Sequence, residues 1–241
     1  MDREFKEGLR DGTPIGLGYF SVSFSFGILA VTGGLQAWQA GLISATNLTS
    51  AGQFAGLTVI ITGAGLLEMA LTQFVINLRY ALMSLSLSQK LGPQVSTWKR
   101  CLIAFSNTDE IFAVAMGRSG VLTPRYWAGL SVVPWVGWTC GTLTGALASQ
   151  VLPLSVRSAL GLALYGMFIA IVMPAFRSEK RVRPVVLAAL VLSCALAWVP
   201  GLRRISPGLA IILATVGAAA LGAVLHPLED VQYDPQAKEE P

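Results

Sequence analysis

GTPIGLGYFSVSFSFGILAVTGGLQAWQAGLISATNLTSAGQFAGLTVIITGAGLL, residues 12–67, holds no Asp, Glu, Lys or Arg. A bilayer span takes about 20 apolar residues, so the stretch is too long for one span and fits two. The turn between them falls at Gly33-Gly34-Leu35-Gln36. In hydrocarbon each backbone N–H and C=O needs a partner within the segment, which makes both segments helices. The rest of the chain repeats the pattern. Glu68 and Lys90 bracket a third segment, interrupted by Arg79, and Arg100 and Arg118 bracket a fourth, interrupted by Asp109 and Glu110. Charge-free blocks over 126–156, 158–176, 184–202 and 205–228 supply four more.

Composition agrees. Of 241 residues, 54% are hydrophobic and 12% charged, with a mean hydropathy of +0.63. Soluble domains carry about 25% charged residues, so a soluble enzyme, a disulfide module and a disordered chain are excluded. The predicted fold is an all-α, polytopic helical membrane protein of roughly seven or eight transmembrane segments, one or more of them broken. The expected organisation is a cytoplasmic N-terminal segment over 1–12, a transmembrane transporter domain over 13–228 and an acidic, disordered tail over 229–241.

Val22, Gly27, Leu48, Gly52 and Phe54 recur at a constant offset as Val136, Gly141, Leu162, Gly166 and Phe168, a faint repeat that divides the domain into about 13–122 and 123–228. Simple spans and a cytoplasmic N-terminus put Arg3, Lys6, Arg10, Arg118, Arg125, Arg177, Lys180, Arg181 and Arg183 inside. Lys90, Lys99, Arg100, Arg157, Arg203 and Arg204 then fall outside, a weak positive-inside bias.

The net charge of +4 comes from residues flanking apolar blocks, so it marks membrane borders and no nucleic-acid partner. Cys101, Cys140 and Cys194 show no CxxC spacing, and His226 is the sole histidine. Neither a disulfide framework nor a metal site is expected, and no cofactor. Without a GK dipeptide there is no P-loop. Only Asp109 among the aspartates lies in mid-span, whereas an intramembrane aspartyl protease needs two, so the chain is not expected to be an enzyme.

Depth singles out a few residues. Arg79 is midway between Glu68 and Lys90, Asp109 midway between Arg100 and Arg118, and Gln53 near the middle of the second segment. Ionised groups at bilayer centre are costly and mark substrate or proton sites. Ser106-Asn107-Thr108-Asp109-Glu110 is polar at five consecutive positions, which no regular helix turns to one side, so the segment lines water or caps a broken helix. Two adjacent carboxylates repel, which suits groups that take up and release protons. Asn47-Leu48-Thr49-Ser50-Ala51-Gly52-Gln53 gathers helix-weakening residues, with Ser50 and Gly52 as the expected break. Broken-helix N–H and C=O groups would hold a zwitterion. Asn77 reaches the Arg79 level only if its helix is irregular. Gly137-x-x-x-Gly141-x-x-x-Gly145 is a helix-contact ridge.

Ser50-Ala-Gly-Gln-Phe-Ala55, Ile76-Asn-Leu-Arg-Tyr80, Thr108-Asp-Glu-Ile-Phe112 and Gly166-Met-Phe-Ile-Ala170 together resemble the AzlC-type branched-chain amino acid exporters, the large subunit of the LIV-E family. Phe5-x-x-Gly8-x-x-x-Gly12-x-Pro14 resembles the family's opening. The likeness covers nearly the whole chain except the tail. It implies a multi-pass protein of the bacterial inner membrane that exports neutral amino acids, namely valine, leucine, isoleucine or methionine. It also implies proton coupling and a small AzlD-type membrane subunit as partner. Family members more often carry His where this chain has Tyr80. Carried onto matching positions, the candidate site is Gln53, Asn77, Arg79, Asp109 and Glu110. On this reading Arg79 and broken-helix N–H groups hold the substrate carboxylate, and Asp109 or Glu110 meets the ammonium or exchanges a proton. Phe54 and Phe168 wall the side chain, and Gly166 marks a further break. The alternative is a passive channel or a structural membrane subunit.

Overall fold

A computed structural model of the chain describes residues 2–149, the positions 151, 153, 155, 166 and 169, and residues 172–226. The chain forms two compact units, Met1–Ile171 and Val172–Pro241.

In the first unit, α1 (Arg3–Thr32) and α7 (Pro124–Ala148) form the most extensive helix pair. They run parallel. Gly8 lies against Tyr126 and Leu130, Gly16 against Val133, and Gly27 against Thr142 and Ala146. From the other side, Gly137 meets Gly16, Gly141 meets Phe20, and Gly145 meets Phe24. Lipid offers no hydrophobic drive for helix pairing, so close backbone approach through small residues supplies the attraction. This is the work of the Gly137–Gly141–Gly145 ridge. It also accounts for the recurrence of Gly27 at Gly141, since both lie on this one interface.

The second segment is broken, as Ser50 and Gly52 led us to expect. It forms α2 (Ala37–Thr46) and α3 (Ala51–Ile61). Asn47 Oδ1 accepts from the Thr49 N–H at 2.9 Å, a local turn that competes with the helix. Ser50 follows with φ 43°, the one non-glycine residue at positive φ among those described. The two half-helices double back. Ile61 at the end of α3 lies against Gly33 at the end of α1, and Ala40 and Leu57 pack with Phe26 and Ala30. The pair dips into the membrane and returns to the side it entered.

The fourth segment does the same from the other side. After α4 (Leu66–Lys90) come α5 (Thr97–Phe105) and α6 (Asp109–Gly117), each roughly 14 Å long, about half the hydrocarbon thickness. Both outer ends are tied to the end of α4. Arg100, near the start of α5, donates to the carbonyls of Ser88 and Gly92. Lys90 Nζ donates to the carbonyls of Met116, in the last turn of α6, and of Arg118, just past it, and the Leu122 N–H donates to Lys90 C=O at 3.0 Å. Cations at helix C-termini satisfy spare carbonyls and oppose the helix dipole.

Residues 3–117 thus contain a crossing helix followed by a half-membrane hairpin, twice, the second unit inverted relative to the first. The repeat predicted from sequence was longer, and its members Leu162 and Phe168 lie outside the described residues, as does most of the sixth segment and the tail over 229–241. The hairpins overturn one expectation. Lys90, Lys99 and Arg100 lie at the same end as Arg3, Lys6, Arg10, Arg118 and Arg125, because the second and fourth segments both turn back instead of crossing.

That end carries a polar clasp between α1 and the segment entering α7. Arg118 pairs with Glu7 at 3.0 Å and Arg125 with Asp2 at 2.6 Å. Thr123 donates to Glu4 and Tyr126 to Asp11. The Arg118 guanidinium, and secondarily Arg3, hold the Glu7 carboxyl below the usual carboxylate range. A group with a depressed folded pKa stabilises above its unfolded pKa and loses that effect as pH falls through the folded value. Glu7→Gln is therefore expected to melt below the parent at pH 7, the gap closing on acidification through and below the ordinary glutamate range. Melts across a pH series check this, and a gap that persists in acid refutes it.

The second unit holds α8 (Val182–Trp198), a 3₁₀ turn (Leu202–Arg204) and α9 (Pro207–Leu225). Gly222 meets Val185 and Gly217 meets Leu192, so α8 and α9 pack antiparallel. By length and composition α1 and α9 are long and apolar enough to cross a membrane. At 25 residues each, α4 and α7 also have the length.

Candidate functional site

The two hairpin tips approach each other across Tyr19 and Trp138. Leu48, at the first tip, packs with both rings, which meet edge to face at 5.2 Å between centroids. The Trp138 indole N–H donates to Gln53 Oε1 at 2.7 Å. Gln53 Nε2 donates to Ser44 Oγ at 2.6 Å, and Ser44 shares a hydrogen bond with Thr142. On the other side, the Tyr19 hydroxyl lies 2.6 Å from Thr108 Oγ1 and 2.5 Å from Glu110 Oε2. A phenol has one proton. It donates to one of these oxygens and accepts, if at all, from the threonine hydroxyl.

Asp109 and Glu110 open α6, with Thr108 as N-cap accepting from the Ile111 N–H. Carboxylates in a first helical turn face the positive end of the helix dipole. Arg79 Nη1 meets Asp109 Oδ2 at 2.7 Å, each side chain 46% exposed. The guanidinium also reaches the Tyr80 hydroxyl at 3.2 Å and lies over its ring. Arg79 is the residue after the midpoint of α4, so the half-exposed pair sits at mid-depth.

On α4, Gln73 Nε2 donates to the Gly52 carbonyl at 2.8 Å, and Asn77 Nδ2 donates to Gln73 Oε1 at 3.1 Å. Asn77 Oδ1, Thr49 Oγ1 and Asn107 Oδ1 are shielded and have no partner. These three belong to the two hairpin tips and the helix between them. Buried polar atoms are almost always paired; of these three, Thr49 Oγ1 and Asn77 Oδ1 lie together beside Gly52, and Asn107 is bonded through its Nδ2 to Ser84 of α4.

Each expected site residue can now be placed. Arg79, Asp109 and Glu110 share one level at the second tip. Asn77 lies two residues from Arg79 but faces the first tip, consistent with a regular α4. Gln53 is buried to 2% exposure, and its amide, bonded at one end to Trp138 and at the other to Ser44, ties the hairpin to α7. Phe54 packs on Phe26 of α1, ring to ring at 5.3 Å. Gly166 is exposed, a Cβ on it would meet no atom of the described residues within 4 Å, and Phe168 lies outside the described residues. Among the described residues, no group of three or more His, Cys, Asp or Glu is placed to hold a metal ion.

Sequence reasoning passed over Tyr19, Trp138, Thr49 and Gln73. The midpoint argument that found Arg79, applied to α1, lands beside Tyr19. The other three carried no such signal.

A family model described as "AzlC: AzlC protein" matches residues 14–152. The Escherichia coli (strain K12) protein named "Inner membrane protein YgaZ" is 30% identical over 185 residues, covering 73% of this chain and 75% of its own. An Archaeoglobus fulgidus protein named "Uncharacterized membrane protein" is 33% identical over 175 residues, covering 70% of this chain and 75% of its own. No solved structure matches the chain significantly.

Proposed function

The chain belongs to the AzlC family, and from that premise we propose that it exports neutral branched-chain amino acids, valine, leucine, isoleucine and also methionine, by proton-coupled alternating access. The membrane is the bacterial inner membrane, and the partner is a small AzlD-type subunit. One observation carries the transport reading. Two half-membrane hairpins of opposite direction end at one level, and ionised side chains lie there. Transporters built from inverted repeats bind substrate and coupling ion at such broken helices near the midplane.

Arg3, Lys6, Arg10, Lys90, Lys99, Arg100, Arg118 and Arg125 gather at one end of the first unit, and its far end carries no basic residue among those described. We place the basic end in the cytoplasm. The first hairpin then enters from outside and the second from the cytoplasm. Asp109, paired with Arg79, exchanges its counter-charge for a proton. Glu110, held by Tyr19, reports the state of one tip to the other through the Tyr19–Trp138 contact.

The test is efflux from proteoliposomes holding this chain and its small subunit, over a panel of amino acids, with and without a proton gradient. Valine or leucine efflux that an opposing proton gradient drives uphill is the expected result. Flux indifferent to the gradient makes the protein a passive channel, and no flux makes it a structural subunit.

A further inference from the structure

At the first hairpin tip three side-chain oxygens surround one small gap beside Gly52. A Cβ on Gly52 would lie 2.5 Å from Thr49 Oγ1, 3.0 Å from Asn77 Oδ1 and 3.0 Å from Gln73 Oε1. The three oxygens therefore converge beside Gly52, where any larger side chain would collide with them.

The orientation of both amides is fixed by a relay. The Gly52 carbonyl takes the Gln73 N–H, which turns Gln73 Oε1 towards Asn77. That oxygen takes the Asn77 N–H, which turns Asn77 Oδ1 towards the gap. Flipping either amide would set oxygen against oxygen or nitrogen against nitrogen. Asn77 Oδ1 and Thr49 Oγ1 are then left shielded and unpartnered, a costly state for buried acceptors. Ser50, next in the chain, holds a strained positive φ, and such strain persists where the surroundings enforce it.

The set is acceptor-rich, neutral and compact. It suits a ligand head that carries positive charge and several N–H donors, and it disfavours a carboxylate, whose lone pairs would face those of the cradle. The first turn of α3 borders the same gap; the Gly52 and Phe54 N–H groups donate to the Thr49 and Ser50 carbonyls, and the Ala51 and Gln53 N–H groups, ahead of the intrahelical ladder, suit the carboxylate of the same zwitterion. Asp109 and Glu110, already engaged by Arg79 and Tyr19, are not needed for the amine.

We propose that Thr49, Gln73 and Asn77 form the cradle for the ammonium group of the transported amino acid. The proposal rests on the amino-acid reading above.

The experiment is calorimetric titration of the full chain with its small subunit in lipid nanodiscs. The probes are L-valine and isovalerate, which keeps the same carbon skeleton and carboxylate but lacks the amine. The parent is expected to bind L-valine and not isovalerate. A hydrogen bond to a charged group is worth a factor of about ten or more, so Thr49→Val is expected to weaken L-valine binding by about tenfold or more, with Thr49→Ser retaining it. Asn77→Leu reads the same way if Thr49→Val fails to fold. Valine binding unchanged in folded Thr49→Val and Asn77→Leu overturns the cradle and leaves the amino-acid reading standing. A parent that binds no amino acid of the panel overturns that reading, and the cradle with it. Stabilisation of the parent by sodium over choline, lost in Thr49→Val with no amino acid present, makes the occupant an inorganic cation and also overturns the assignment.

Discussion

Asp109→Asn is expected to reduce proton-driven efflux of valine and leucine to the level of membranes lacking the protein, with the protein still made and still folded. The substitution keeps the shape of the side chain and removes its charge. Arg79 then faces mid-depth without a counter-ion, and no group at that position can trade a proton against its pairing. The fold is expected to survive, because asparagine keeps the shape of the side chain and its amide oxygen still accepts from Arg79. A folded, inactive variant separates transport chemistry from packing. Removing both partners, Arg79→Gln with Asp109→Asn, is expected to stay inactive, since the titrating carboxylate is gone even though no charge is stranded. Normal gradient-driven efflux in Asp109→Asn would remove the residue from the mechanism. Loss in Glu110→Gln alone would transfer the role to its neighbour.

The second large effect falls on folding. Gly27→Val is expected to prevent accumulation of a monodisperse protein. A Cβ at Gly27 would run into the Thr142 carbonyl and the Ala146 N–H. Both are backbone groups, so no side chain can swing aside and α1 and α7 must separate. Overpacking a tight core typically costs about 1–3 kcal/mol. Against a total stability of about 5–15 kcal/mol, prising apart the main helix pair is a large fraction. Gly18→Val on the same helix is the control, because Gly18 has nothing within 4 Å. Size-exclusion profiles and melts of the two variants decide it. Equal behaviour would show that the glycine contacts do not hold the helices together.

Much of this was legible because charge is expensive in lipid. Arg79 and Asp109 stood out by their distance from the nearest flanking charges, and the structure joins them at 2.7 Å. The break near Ser50 was legible because Asn, Thr, Ser and Gly together weaken a helix. The doubling back was not. A broken segment that crosses and one that returns have the same local sequence. What separates them is Arg100 and Lys90 binding carbonyls on neighbouring elements, a tertiary fact. The bond from Trp138 to Gln53 was not legible, because a polar residue at mid-depth is written alike whether it touches substrate or braces a neighbouring helix. Thr49 and Gln73 hid for the converse reason. Threonine is ordinary in membrane helices, and only the approach of α4 to Gly52 turns these two side chains towards a common point.

The half-length hairpins bear on how voltage acts on the protein. A charge entering along one hairpin reaches the tip after crossing about half of the membrane's electrical distance. Moving one elementary charge across 100 mV is worth about 2.3 kcal/mol, so under the proposed proton coupling a proton arriving at Asp109 would gain or lose roughly half of that before any conformational change. Part of the electrical work of transport is thereby done by the ion's own path, and the moving parts carry only the remainder.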